Sequence, residues 1–356
     1  MPLDVGSIEM FMGPQQLGGP DDLCRAITGF IGEARKKLFI AVQELESREI
    51  ADAILAARSR GVKIRLILES KYLGTNNPVP DPWKAGGENE GNRQTVVALL
   101  RAGVEVVFDL NPQTFHQKYI VRDPDSDQAA VLTGSTNFTP TGTTTNLNHI
   151  VVFRGKRMSG LYHEEFEEAW SGTFGRMQER REEEPKTYRL AHVRTKILFA
   201  PDHAPELEIM KQILKARKRV DFAMFTFAQS SGIDDAMICL NRTGIPVKGV
   251  LDRGQGNQTW AATRPVKNAG AELYWPRRDA GVRKVHHKLL VIDDLVTIVG
   301  SFNLTGPANR LNDENIAIIG DILEERPDAL ENQRHIARYA REEIDRIINT
   351  SCEAIP

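Results

Sequence analysis

FHQKYIVRD (residues 115–123) and VHHKLLVID (residues 285–293) each lead into a second apolar stretch with a common ending, VLTGSTNF (residues 131–138) and IVGSFNL (residues 298–304). The chain thus carries His-x-Lys-x4-Asp and then Gly-Ser-x-Asn twice. The first copy is His116, Lys118, Asp123, Gly134, Ser135 and Asn137; the second is His286, Lys288, Asp293, Gly300, Ser301 and Asn303. Side chains alternate across a strand with period two, so the His and Lys of each copy are expected on one face, with Gln117 and His287 pointing the other way. A glycine closing an apolar strand permits close backbone approach, while Ser and Asn offer hydrogen bonds to oxygen.

Outward from these motifs the two halves repeat one plan. ARKKLFIAVQELES (residues 34–47) resembles ARKRVDFAMFTFAQS (residues 216–230), each read as a basic helix end followed by a short apolar strand. IADAILAARSRGVKIRLILE and IDDAMICLNRTGIPVKGVLDR follow, each a helix pattern closed by a glycine (Gly61, Gly244) before a β-rich strand. LLRAGVEVVFD then matches VKNAGAELYWP. Alternating strands and helices imply an α/β layered sheet in each half. The first copy is longer because of residues 70–94, a Gly-, Pro- and Asn-rich stretch that reads as a long loop. The charged, Pro185-containing residues 176–189 read as a linker, which gives halves at 1–185 and 186–356.

With 356 residues, 41% hydrophobic and 26% charged, the chain has material for an ample core. Its net charge of −2 does not mark a protein that coats nucleic acid, so any basic surface must be local. Cys24, Cys239 and Cys352 are odd in number and far apart, which argues against a disulfide framework or a Cys-based metal site. His149, His163, His192, His203 and His335 lack metal-ligand spacing and read as surface or packing residues. No secretory signal and no long apolar run are visible, so a cytoplasmic protein without a membrane anchor is expected. The C-terminal ALENQRHIARYAREEIDRIIN reads as an amphipathic helix covering a core.

The paired motif resembles that of the phospholipase D superfamily, and the resemblance covers most of the chain. It implies an α/β fold of two similar α/β/α sandwich halves, packed as a pseudo-twofold dimer within one chain. It also implies one active site shared by both motifs, so that a monomer is competent, and a phosphodiesterase needing neither metal nor cofactor. By the same resemblance, one of His116 and His286 attacks phosphorus to give a phosphohistidine, and the other protonates the leaving oxygen and then activates water. Lys118, Lys288, Asn137 and Asn303 would stabilise charge on the non-bridging oxygens, and Ser135 and Ser301 are placed with the substrate-binding residues. Asp123 and Asp293, like Gly134 and Gly300, are read as structural, the aspartates as turn or salt-bridge residues.

Eleven residues beyond Asn303 lies Glu314, and eleven beyond Asn137 lies Asn148. On the superfamily's pattern Glu314 backs His116 and Asn148 backs His286. Such a carboxylate fixes the imidazole tautomer and stabilises imidazolium, whereas an amide orients with less charge stabilisation. Upstream of His286, Arg277, Arg278, Arg283 and Lys284 suggest a basic edge that grips a polyanion. Trp83 and Trp260 fall in loops that could rim the site. The expected substrate is nucleic acid, DNA or RNA, with room for a partner protein that supplies specificity. The alternative is a phospholipase D or cardiolipin-synthase-like enzyme acting on lipid. A non-catalytic nucleic-acid binding module is a third reading, disfavoured because both motifs are intact.

Overall fold

Two mixed β-sheets with the same strand order form the frame. In the computed structural model, which describes residues 2–177 and 184–356, the first sheet has a continuous stretch of strands Ile8–Gly13, Asn146–Arg154, Ala130–Gly134, Lys118–Arg122, Lys37–Val42, Lys63–Leu68 and Glu105–Phe108. The second repeats it with Val193–Ala200, Glu314–Ile319, Val296–Gly300, Lys288–Ile292, Val220–Met224, Val247–Leu251 and Glu272–Pro276. In each, the strand that follows His-x is antiparallel to both neighbours, and the last three strands are parallel. Parallel neighbours need crossover helices, which Arg48–Ser59 and Ile233–Arg242 provide. Gly61 and Gly244, just past those helices, take positive φ of 91° and 88°, as chain reversal at a helix end requires.

Alternation along the strands sorts side chains between cores. Leu38 and Ile40 join Ile27, Ile54 and Leu99 under the outer helices, while Phe39 and Ala41 face inward. The second half has its own outer core around Phe222, Met237 and Leu290. The inner faces of both sheets share one continuous core with helices Lys156–Trp170 and Pro327–Ser351, including Tyr119, Val151, Phe166, Leu289, Ile336 and Ile344. Full burial of each such Leu, Ile, Val or Phe stabilises by about 1.5–3 kcal/mol, so this shared layer fixes the halves on one another. The C-terminal helix therefore covers core, as its pattern predicts.

Three expectations need correction. The basic residues Arg35–Lys36 and Arg217–Lys218 lie in turns after their helices rather than at helix ends. Within the long loop of residues 70–94, Ser70–Leu73 is a 3-10 turn and the last five residues already belong to helix Glu90–Arg101. Of the linker, residues 178–183 lie outside the described residues, while Thr187–Leu190 is an edge strand of the second sheet.

Candidate active site

Each motif is pinned by the opposite half. The backbone N–H of His116 donates to the carbonyl of Asp313 (3.0 Å), and that of His286 to the carbonyl of Leu147 (2.9 Å). The residue before each histidine is also held, Phe115 N–H by Glu69 (2.5 Å) and Val285 N–H by Asp252 (3.1 Å). Glu69 and Asp252 were not singled out in the sequence, although both are acidic residues just after corresponding strands. Lys284–Val285 pairs in parallel with Asn146–Leu147, so the approach to His286 becomes a strand on the first half's sheet.

The imidazoles are both buried and both held through Nδ1. His116 Nδ1 lies 2.7 Å from Glu314 Oε2, which also accepts from Ser301 Oγ (2.6 Å). His286 Nδ1 lies 2.9 Å from Asn148 Oδ1 and 3.0 Å from the carbonyl of Ser135. Asn148 has its own orientation fixed: Nδ2 donates to the carbonyl of Gly142 (2.8 Å), and Oδ1 accepts from Ser135 Oγ (2.8 Å). With only acceptors facing Nδ1, each ring carries its proton there and leaves Nε2 with a lone pair. The structure thus sets Glu314 against His116 and Asn148 against His286.

Burial and the motif lysines govern protonation. Burial lowers His116 to about 4, against the opposing pull of Glu314, and Lys118 adds to the lowering. His286 is pushed well below its ordinary value by burial, then by Lys288, Lys118 and His116. That mutual influence places the two motifs in one electrostatic site. Burial also lowers Lys118, to about 8, and pushes Lys288 down strongly, with Lys118 adding to that fall. Lys118 Nζ donates to the carbonyl of His116 (2.8 Å) and to Gln43 Oε1 (3.1 Å). Lys288 Nζ donates to the carbonyl of His286 (2.9 Å) and sits 5.2 Å from the Phe225 ring, itself 4.9 Å from the His286 ring.

The remaining motif residues are mostly scaffold. Asp123 accepts from the amides of Arg35, Lys36 and Lys37 at 2.7–2.9 Å, and Asp293 from those of Arg217, Lys218 and Arg219 at 2.7–2.9 Å. They are turn residues that bind backbone amides rather than salt-bridge partners. Gly134 and Gly300 lie so close to the next strand that a Cβ would come within 2.3 Å of the His149 carbonyl and 2.2 Å of the Asn315 carbonyl. Ser135 and Ser301 were expected to contact substrate. Both are fully buried, and their hydroxyls link Asn148 and Glu314 to the amides of His149 and Asn315 (3.0 Å each). Asn148 is likewise fully buried behind His286.

The two asparagines differ. Asn303 Oδ1 accepts from the amide of Thr226 (3.3 Å), leaving its NH2 group free of that contact. Asn137 Nδ2 donates to the carboxylate of Glu44, and its Oδ1 is buried without a hydrogen-bond partner. Asn137 therefore has its donor group engaged by Glu44 where a free phosphate-binding donor was expected. Glu44 was missed in the sequence; aligning the repeats sets it opposite Thr226, which was signal enough to find it.

The basic edge divides. Arg277 donates to the carbonyls of Cys352 (3.1 Å) and Thr350 (2.9 Å), which fastens the C-terminal segment instead of leaving the guanidinium for substrate. Arg278 and Arg283 are exposed, and Lys284 Nζ stands 5.3 Å from the Phe225 ring beside the site. Trp83 is 96% exposed and Trp260 43%, so neither is packed into the core.

His287, expected to point away from the motif face, and His149 are a fully buried pair between the halves, Nδ1 to Nδ1 at 3.2 Å. The Gly300 amide donates to His149 Nε2 (3.2 Å), and Glu343 lies 3.5 Å from His287 Nε2. The corresponding positions of the other copy hold Gln117 and Asn315, joined at 2.6 Å. The other histidines serve local contacts: His163 with Glu167, His192 with Asp328, and His203 accepting from the Phe199 amide; His335 is exposed. Away from the motifs, carboxylates of Glu165, Glu168 and Asp202 converge within 4.8 Å, a grouping that spacing in the sequence could not reveal. Among the described residues no helix is long and apolar enough to cross a membrane.

The family described as cardiolipin synthase, PLD-like domain, matches residues 27–170 and 209–336. Among curated proteins, a mitochondrial cardiolipin hydrolase of Xenopus laevis is 30% identical over 115 residues, 32% of this chain and 53% of that protein. A phospholipase D of Rickettsia bellii is 29% identical over 136 residues, 37% of this chain and 64% of that protein. The chain thus spans about half the length of the first curated relatives it matches. Among solved structures, phosphatidylserine synthase of Haemophilus influenzae superposes with a TM-score of 0.66 at 12% identity, covering 100% of this chain and 89% of that one. That likeness concerns the fold alone.

Proposed function

From the premise that this chain belongs to the phospholipase D superfamily and acts on phosphodiesters, we propose that it hydrolyses a glycerophospholipid-type phosphodiester, without a metal, through a phosphohistidine on His116. The observation that carries the mechanism is the pair of buried imidazoles, each held at Nδ1 by an acceptor and flanked by two lysines. Neutral Nε2 of His116 attacks phosphorus in line, and the bond to the leaving oxygen breaks. His286, in its protonated form, passes its proton to that oxygen. His286 then takes a proton from water, the water oxygen attacks phosphorus, the P–N bond breaks, and His116 is restored. Glu314 suits His116 to the first role because its carboxylate offsets the positive charge the ring acquires on phosphorylation. Burial, with the lysines adding to it, keeps His286 deprotonated, and an entering phosphate offsets the lysines' part. Lys118, Lys288 and the NH2 group of Asn303 stabilise the non-bridging oxygens.

The lipid reading is supported by the names of the curated relatives, cardiolipin hydrolase and phospholipase D. A nuclease is the second reading, favoured by exposed Arg278 and Arg283 with Lys284 near the site and by the exposed Trp83. Purified protein incubated in EDTA with cardiolipin or phosphatidylglycerol vesicles, and separately with labelled single- and double-stranded DNA and RNA, tests both. Lipid turnover that survives chelation is expected. Activity lost in EDTA and restored by a divalent ion would remove the mechanism, and cleavage of nucleic acid alone would replace the lipid reading with the second.

A further inference from the structure

We propose that Glu44 is a specificity-determining residue that selects phosphodiesters bearing a hydroxyl on the alcohol beside the scissile bond, as in a glycerol head group; this rests on the lipid reading of the site.

A carboxylate is an unexpected occupant of a phosphate-binding site. Burial pushes the Glu44 carboxyl up, and the surrounding cations Lys118, Lys284 and Arg283 draw it down. Its negative charge competes with the substrate's phosphate for those cations. The opposite half has Thr226 at this position, and nothing in the strand or the turn demands an acid there, since both copies build the same frame.

Asn137 gives an independent indication. Its NH2 group is turned to Glu44, which fixes the amide's orientation and leaves Oδ1 buried without a partner. With its NH2 group committed to that carboxylate, Asn137 does not offer phosphate the donor that Asn303 keeps free of its contact with Thr226. Glu44 is thus an acceptor beside the Lys118 corner of the site, whereas Asn303 opposite keeps its NH2 donors free of its contact with Thr226. A second phosphate would be repelled there. An ammonium would meet three cations already grouped around the carboxylate. A neutral hydroxyl supplies a donor without either penalty, and it can be accepted by a Glu44 oxygen.

The experiment compares phosphatidylglycerol with phosphatidylpropanol in otherwise identical vesicles. The two lipids have the same charge and carbon skeleton and differ only in the head-group hydroxyls. Wild-type protein should favour phosphatidylglycerol at least about tenfold in kcat/KM, since a site built to hydrogen-bond a hydroxyl discriminates against the analogue that lacks it. Glu44→Thr, which installs the residue of the other half, should bring the ratio to within about twofold, mainly by raising turnover of phosphatidylpropanol as the competing charge is removed. Glu44→Gln keeps the side-chain size, removes the charge, and should also lower the ratio. A wild-type ratio near one, which needs no variant, or an unchanged ratio in a folded Glu44→Thr protein, overturns the assignment. Hydrolysis of neither lipid, with cleavage of an oligonucleotide instead, overturns the underlying lipid reading and this assignment with it; turnover of both lipids without preference overturns the role of Glu44 alone.

Discussion

Asp123 and Asp293 each gather three consecutive backbone amides, Gly134 and Gly300 each press against the neighbouring strand, and Ser135 and Ser301 each tie the residue behind a histidine to the backbone. At the next tier outward the halves part: Glu314 against Asn148, Glu44 against Thr226, Gln43 against Phe225, and the Gln117–Asn315 pair against His287–His149. What is identical in the two halves is the frame that carries each histidine and its lysine. What differs is the charge around each ring, a carboxylate at His116 and an amide at His286, and the proposed division of roles between the two histidines rests on that difference.

The largest effect should come from the histidines themselves. His116→Ala and His286→Ala should each lose at least about 10⁴-fold in turnover, as expected when a nucleophile or its acid–base partner is removed. Mass spectrometry of peptides handled at mild alkaline pH separates their roles. With an activated substrate, His286→Ala should accumulate a phosphoryl adduct on His116, because the residue that activates water is missing, whereas His116→Ala should give none. An adduct found on His286 would reverse the assignment and the significance given to Glu314.

A smaller loss, about a hundredfold in kcat, is expected for Glu314→Gln, which gives both halves an amide. Glu314 raises the His116 value that burial depresses, so without it the acid limb of the kcat/KM profile should move to lower pH. A loss of rate with an unmoved limb would mean that Glu314 only holds the ring in place.

The smallest effect concerns the buried pairs. His149→Asn with His287→Gln copies the Gln117–Asn315 pair into the other half. Burial holds both histidines below their ordinary values, with each other's charge lowering His149 further and Glu343 opposing the fall at His287. Their folded values lie under the unfolded value of about 6.5, so the neutral pair's stabilisation is fully present above that pH and is lost as pH falls through the window below it. Denaturation across about pH 7.5 to 5 should show the double variant less stable at the upper end and the gap narrowing toward the lower, by up to about 1.4 kcal/mol per pH unit per histidine. Parallel curves would mean that the pair carries no proton-linked stability.

Sequence alone determined the repeated α/β plan and the paired motifs, because these depend on strand periodicity and on identities at fixed offsets along the chain; the partner of each imidazole followed only from the resemblance to the superfamily. It misjudged residues whose role depends on what stands opposite. Ser135 and Ser301 have hydroxyls suited to substrate, yet close strand packing turns them inward to Asn148 and Glu314. Arg277 has the charge of a phosphate ligand, yet the returning C-terminal segment occupies it with carbonyls. His149 and His287 are 138 residues apart, and only the shared inner core sets one against the other. Hydrogen bonds and charge act over a few ångströms in space, so the tertiary structure decided which of these groups remain for a substrate and which are already taken by the protein.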